Sequence, residues 1–123
     1  MTGNYRVEHI DHVQLAMPPG SERRGVEFYE GLLEIPRVDK PSELATRGGC
    51  WFERDGLRIH LGVEEGVRPA KKAHPALSVR GIEALCAALE NAGHPVRRTE
   101  DVPGRPQWFV DDPFGNRIEL VPG

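Results

Sequence analysis

Four side chains able to bind a metal ion, His12, His60, His74 and Glu119, stand at matched positions in the two halves of the chain. Trp51-Phe52-Glu53-Arg54-Asp55-Gly56-Leu57-Arg58-Ile59-His60-Leu61 lies over Trp108-Phe109-Val110-Asp111-Asp112-Pro113-Phe114-Gly115-Asn116-Arg117-Ile118-Glu119-Leu120 if the second turn holds two extra residues, which sets His60 against Glu119. Upstream, His12-x-x-Leu15 followed by Gly25-Val26-Glu27 matches His74-x-x-Leu77 followed by Gly81-Ile82-Glu83, which sets His12 against His74. Both separations are roughly sixty residues, longer than the common solenoid periods, so the pattern is one supersecondary unit used twice. Imidazole and carboxylate are common ligands of first-row metals, and three imidazoles with one carboxylate around a divalent ion leave about one positive charge and, in an octahedral shell, about two open positions. Nickel, zinc, iron, cobalt and manganese all suit such a set. A substrate that chelates through two adjacent oxygens would fill the open positions, and the ion would act as a Lewis acid on developing negative charge. Glu119 is the catalytic candidate as well, a ligand that can double as base, the alternative being a metal-bound hydroxide that takes the proton.

The elements that must carry these residues follow from periodicity. Between Ile10 and Met17 the apolar Val13, Leu15 and Met17 alternate with His12, Gln14 and Ala16, which predicts a strand with one apolar face. Pro18-Pro19-Gly20 breaks it and Ser21 can cap a helix whose stripe is Val26, Tyr29, Leu32 and Leu33, ending before Pro36. Residues 37–47 read as a weak edge strand and a loop, and Asp55-Gly56 between Cys50–Arg54 and Leu57–Val63 predicts a tight hairpin. The second half repeats the order: a strand over His74–Val79, a helix over Gly81–Ala92 stopped by Gly93, and strands over Val96–Thr99, Pro106–Val110 and Asn116–Val121, with Gly115 left-handed in the last turn. The expected fold is α+β: residues 1–123 form a single domain of two tandem βαβββ modules, about 6–64 and 74–121 with a linker at 65–73, forming a curved mixed sheet around a central metal-binding cavity.

Because successive strand residues point to opposite faces, each candidate ligand opposes aliphatic neighbours: His12 against Val13 and Leu15, His60 against Ile59 and Leu61, His74 against Leu77 and Val79, Glu119 against Ile118 and Leu120. The aliphatics can pack under the helices while the candidates share the other face with Gln14, Arg58 and Arg117. Ala16, Ala76 and Ser78 leave room there for a ligand. Arg58 and Arg117 read first as rim charges and second as substrate anchors. Trp51, Phe52, Trp108 and Phe109 read as core or wall residues. Gln14, Arg58, Arg117, Trp51 and Phe109 are carried forward as substrate contacts, whereas His9 and His94 are assigned no ligand role.

A formal net charge of -3 offers no attraction to nucleic acid or to an anionic membrane, and no apolar stretch suits a signal peptide or a bilayer span. The cytoplasm is the expected location. Cys50 and Cys86 show no Cys-x-x-Cys spacing and read as reduced thiols, with Cys86 on the apolar stripe of its helix.

The double βαβββ pattern, the opening Ile10-Asp11-His12-Val13-Gln14-Leu15, Phe28-Tyr29 followed by Leu32-Leu33, and the closing Asp112-Pro113-Phe114-Gly115-Asn116-Arg117-Ile118-Glu119-Leu120 resemble the vicinal oxygen chelate superfamily. That superfamily includes glyoxalase I, methylmalonyl-CoA epimerase, extradiol dioxygenases, fosfomycin-resistance thiol transferases and bleomycin-binding proteins. The resemblance covers nearly the whole chain, specifies the fold well and the reaction poorly. It implies metal ligands at His12, His60, His74 and Glu119. The chain departs from the pattern at His60, where glyoxalase I-like members carry Glu and epimerase-like members Gln, which removes the carboxylate associated there with proton transfer. The implied function is a metal-dependent lyase or isomerase acting on a small substrate. The alternatives are an iron-dependent dioxygenase and a metal-free protein that sequesters a small molecule or antibiotic. The resemblance also implies edge-to-edge pairing of modules, within one chain or between the copies of a homodimer.

Overall fold

Asp55 and Gly56 take φ of 52° and 87° in the computed structural model, which describes residues 3–123. Positive φ at both positions is the signature of the tight turn whose twist matches antiparallel strands. This turn joins β3 (Cys50–Arg54) to β4 (Leu57–Val63), with Trp51 opposite His60 and Phe52 opposite Ile59. β1 (Val13–Met17) lies parallel to β4 on its other side, with Gln14 opposite His60, and the two-residue β2 (Arg37–Val38) closes the far edge against β3. The first sheet thus runs β1-β4-β3-β2.

The second module repeats it. β5 (Ala76–Val79) is parallel to β8 (Arg117–Pro122), with Ala76 opposite Glu119, and β8 pairs antiparallel with β7 (Arg105–Asp111), which pairs with β6 (Val96–Val102). The order β5-β8-β7-β6 is that of the first sheet, and β1 and β5 are both edge strands. The expected α+β architecture of two modules is therefore present. Within one chain the sheet is resolved as two four-stranded sheets, one per module. No helix among the described residues is long and apolar enough to cross a membrane.

The aliphatic faces and the helices make the core. Met17, Phe52, Ile59 and Leu61 from the first sheet join Val110, Ile118 and Leu120 from the second, all essentially inaccessible to water. Helix α1 (Glu22–Val26) continues as a π-helical turn over Glu27–Leu32, where the Leu33 amide bonds to the Phe28 carbonyl at 2.9 Å. The consecutive Phe28 and Tyr29 both enter the core from this turn. Ser21 makes no side-chain cap, contrary to the expectation; its carbonyl accepts from Gly25 instead.

A buried polar knot fastens the modules together. Tyr29 donates its hydroxyl proton to Asp112 Oδ2 at 2.7 Å, and Asn116 Nδ2 donates both to that oxygen and to the Ala16 carbonyl, each at 2.8 Å. Asp112 Oδ1 accepts the amides of Phe114 and Asn116. The closing motif is therefore a structural lock, with Gly115 at φ 90° completing its turn. Helix α2 (Ile82–Asn91) starts after a left-handed Gly81 and ends before Gly93 at φ 89°.

Several boundaries differ from the sequence reading. β1 begins at Val13 rather than Ile10 and β5 at Ala76 rather than His74, the points at which the parallel pairing with Ile59 and Glu119 begins. Residues Ser42–Arg47 form a 3-10 helix where a loop was expected. β6 runs on to Val102, through an irregularity after Thr99, so that only Pro103-Gly104 separates it from β7. The repeat is also offset by one residue. Since His60 faces Trp51 and Glu119 faces Phe109, the counterpart of Trp51 is Phe109, not Trp108.

Candidate functional site

Equivalent registers carry equivalent residues. His12 stands two positions before Gln14, the partner of His60, and His74 two positions before Ala76, the partner of Glu119. Each module thus presents a histidine at the start of its edge strand beside a polar residue in the middle of its neighbouring strand. The structure brings the four expected ligands together as two pairs. Among the described residues, no three His, Cys, Asp or Glu side chains gather as a metal site within one chain.

In the second module His74 Nε2 lies 2.8 Å from Glu119 Oε1. His74 Nδ1 is 2.7 Å from the Lys72 carbonyl, which can only accept, so Nδ1 carries a proton, and Nε2 likewise needs a proton or a cation between itself and Glu119. The other Glu119 oxygen accepts from Gln107 Nε2 at 2.8 Å. Both side chains are thereby held from behind, the arrangement that orients metal-binding groups. Desolvation pushes the Glu119 carboxyl up, but the hydrogen bonds from His74 and Gln107, with the charges of His74 and Arg117, outweigh it and hold the group below its usual range.

In the first module the rings of Trp51, His60 and His12 form a stack across β3, β4 and β1. Trp51 and His60 lie 4.0 Å apart and 4° from parallel, and His60 and His12 4.4 Å and 19°. His12 Nδ1 is 2.9 Å from Asp11 Oδ2, a contact that holds the Asp11 carboxyl below its ordinary value. As a carboxylate only accepts, Nδ1 again carries the proton and Nε2 is available. His60 differs, for its Nε2 meets Glu53 Oε2 at 2.7 Å.

The expected substrate contacts divide. Gln14 leans over Gly62 on the ligand face. Arg58 donates to the Asp11 carbonyl and Arg117 to the Lys71 carbonyl, so each guanidinium braces the segment leading into its module's first strand, and Arg117 also lies 4.3 Å over the Phe109 ring. Trp51 and Phe109 occupy the ligand face, as their pairing with His60 and Glu119 requires; Phe52 is wholly core, and Trp108 packs against the core. Cys50 is buried, and desolvation raises its thiol, so it is no nucleophile.

Sequence reasoning missed Asp11, Glu53 and Gln107. Glu53 is two residues from Trp51 and Gln107 two from Phe109, so strand parity puts each on the ligand face. Under the one-residue offset Glu53 was set against Val110, which hid its true counterpart Asp111; Glu53 faces Arg58 as Asp111 faces Arg117.

The model of the Glyoxalase/Bleomycin resistance protein/Dioxygenase superfamily matches residues 9–120. Among solved structures, a glyoxalase family protein from Bacillus anthracis is 40% identical, with 97% of this chain and 98% of that one covered and a TM-score of 0.90. The fosfomycin resistance protein FosX from Listeria monocytogenes is 13% identical, with 96% and 95% covered and a TM-score of 0.76. FosX from Mesorhizobium loti is also 13% identical, with 96% and 94% covered and a TM-score of 0.73. At that identity the FosX likeness shows the fold alone. No curated protein matches. The family match across both ligand pairs, and the close likeness over nearly the full length of both chains, establish that this chain belongs to the glyoxalase/bleomycin resistance protein/dioxygenase superfamily.

Proposed function

We propose that the protein is a metal-dependent enzyme of its superfamily, of lyase or isomerase type, acting on a small anionic substrate that chelates a divalent transition metal through two vicinal oxygens. The observation that carries this reading is the orientation of the histidines. His12 and His74 each give Nδ1–H to an acceptor just before their own position, which leaves His12 Nε2 available and turns His74 Nε2 to Glu119, while Gln107 holds Glu119 from behind. Nε2 and Oε1 approach to 2.8 Å only with a proton or a cation between them, and a metal taking the place of that proton would find both ligands already turned towards it. When bound, the ion would supply Lewis-acid stabilisation of negative charge developing on the chelating oxygens. The chain's own part is to hold those ligands, to wall the face with Trp51 and Phe109, and to offer Glu119 as a proton acceptor beside the substrate.

A homodimer completes the site in this reading. β1 and β5 are unpaired edges, each led by a candidate ligand, and edges of that kind invite pairing. Joining β1 of one copy to β5 of the other would bring His12 and His60 to His74 and Glu119. Tyr5, Val7 and Ile10, 80%, 92% and 77% exposed just before β1, supply apolar surface for such a contact.

Metal analysis of protein purified without a histidine tag tests the proposal, together with calorimetric titration of an α-hydroxy acid or hydroxamate. About one metal per chain and binding of the chelator only to the loaded form are expected. Equal affinity for metal-free and loaded protein would promote the sequestering role instead.

A further inference from the structure

His60 is held differently from its fellow histidines. Both faces of its ring are covered, by Trp51 on one strand and His12 on another, and the residue is only 5% exposed. Its Nε2, the nitrogen that His12 keeps available and His74 turns to the fellow candidate ligand Glu119, is engaged at 2.7 Å by Glu53 Oε2, which belongs to neither ligand pair. Glu53 reaches it from β3, where it shares a face with Trp51, and Arg58 Nε stands 3.9 Å from the other Glu53 oxygen. A carboxylate only accepts, so Nε2 carries the His60 proton and the lone pair resides on Nδ1. No hydrogen bond engages Nδ1 among the described residues, and no buried side-chain nitrogen or oxygen there lacks a partner, so Nδ1 is not sealed in the core.

We propose that Glu53 is a positioning residue of the metal site: it fixes His60 in the Nε2–H form, so that His60 offers Nδ1 where His12 and His74 offer Nε2. The stacked rings prevent the imidazole from turning over to exchange its nitrogens, and the Glu53 bond selects which one carries the proton. The consequence for metal affinity rests on the metal-enzyme reading above; the assignment of the His60 proton does not. Glu53 also returns a carboxylate to the neighbourhood of position 60, although it is attached to a different strand.

The test uses full-length, metal-free, 15N-labelled protein in long-range proton–nitrogen correlation spectra, followed by cobalt(II) titration. The wild type is expected to show His60 protonated at Nε2, with His12 and His74 protonated at Nδ1. Glu53→Gln keeps a carbonyl that can accept from Nε2 and should preserve this pattern with a modest loss of affinity. Glu53→Ala should mix the His60 tautomers and weaken cobalt binding about 10–100-fold, with the circular dichroism spectrum unchanged. A His60 proton at Nδ1 in the wild type would overturn the proposal, as would a Glu53→Ala protein that binds cobalt as tightly as the wild type. A Glu53→Gln protein as impaired as Glu53→Ala would overturn the hydrogen-bond origin of the effect. If the wild type binds no metal, the metal reading fails and with it the role of Glu53 in affinity, while the tautomer spectra separately decide its hold on His60.

Discussion

The hydroxyl of Tyr29 donates to Asp112 Oδ2 across 2.7 Å although 83 residues separate them in sequence. One partner is in the helical segment of the first module and the other in the last turn of the second, so this bond ties the two halves through the core. Burial and the adjacent carboxylate raise the Tyr29 phenol well above its ordinary value, which keeps it a donor throughout the working pH range. Tyr29→Phe removes one donor but leaves Asp112 bonded to Asn116 and to two backbone amides, and should cost about 1 kcal/mol. Asp112→Ala strands the Tyr29 hydroxyl, the Asn116 amide and those backbone groups, and should cost about 3 kcal/mol. Urea unfolding of both variants checks the order; equal losses would show that the knot does not act as a unit.

Much of this architecture was legible in the sequence because it depends on local chemistry. The β3–β4 hairpin sits where Asp55-Gly56 allows positive φ, and the ligand faces follow from two-residue alternation around Ile59, Leu61, Ile118 and Leu120. The π-helical turn was not legible, since the apolar stripe is the same whether the Leu33 amide reaches Phe28 or, as in a regular helix, Tyr29. Nor was the register of the second hairpin. Two residues separate the paired Arg54 and Leu57, whereas Asp112-Pro113-Phe114-Gly115-Asn116 separate Asp111 and Arg117, so a turn read as two residues longer shifted Trp51 onto the wrong partner. Pattern also shows which side chains share a face within a module, but not whether two such faces meet, and the structure answers with pairs rather than a quartet.

Gly49 is expected to be the least replaceable residue before β3. Its φ is +87°, and a Cβ there would run into the backbone carbonyl oxygen of Leu61, which cannot move without disturbing β4. Its amide also donates to Glu22 Oε2. Gly49→Ala should destabilise the protein by about 3 kcal/mol through strain and steric conflict together. Gly56→Ala, where nothing stands within 4 Å, should lose much less in the same thermal denaturation series.

The depressed Glu119 carboxyl fixes the sign of an acid effect. Its folded-state value lies below the ordinary 4.5, so its contribution to stability is fully present above that value and is lost as pH falls through the lower, folded-state one. In metal-free protein the melting temperatures of wild type and Glu119→Gln should therefore differ by a constant amount near neutrality. The difference should close only in acid, below the ordinary carboxyl range. A gap that widened on acidification would mean that Glu119 is not the stabilising anion of its pair.

Sharing of the site between copies can be read from mixtures. If His12 and His60 of one copy join His74 and Glu119 of the other, neither His12→Ala nor His74→Ala homodimers contain a complete ligand set. A heterodimer of the two concentrates both losses in one site and leaves its other site whole. Equal mixing and re-equilibration should then restore tight metal binding to about one quarter of the wild-type content, since about half the dimers are mixed and each regains one of two sites. A site assembled within a single chain would gain nothing from mixing, because every chain would still lack one ligand. Cobalt titration of the separate and mixed variants, with light scattering to follow exchange, distinguishes the two arrangements: restoration requires that residues of two copies meet at one ion, and its absence in a freely exchanging dimer would place each ligand set in its own chain.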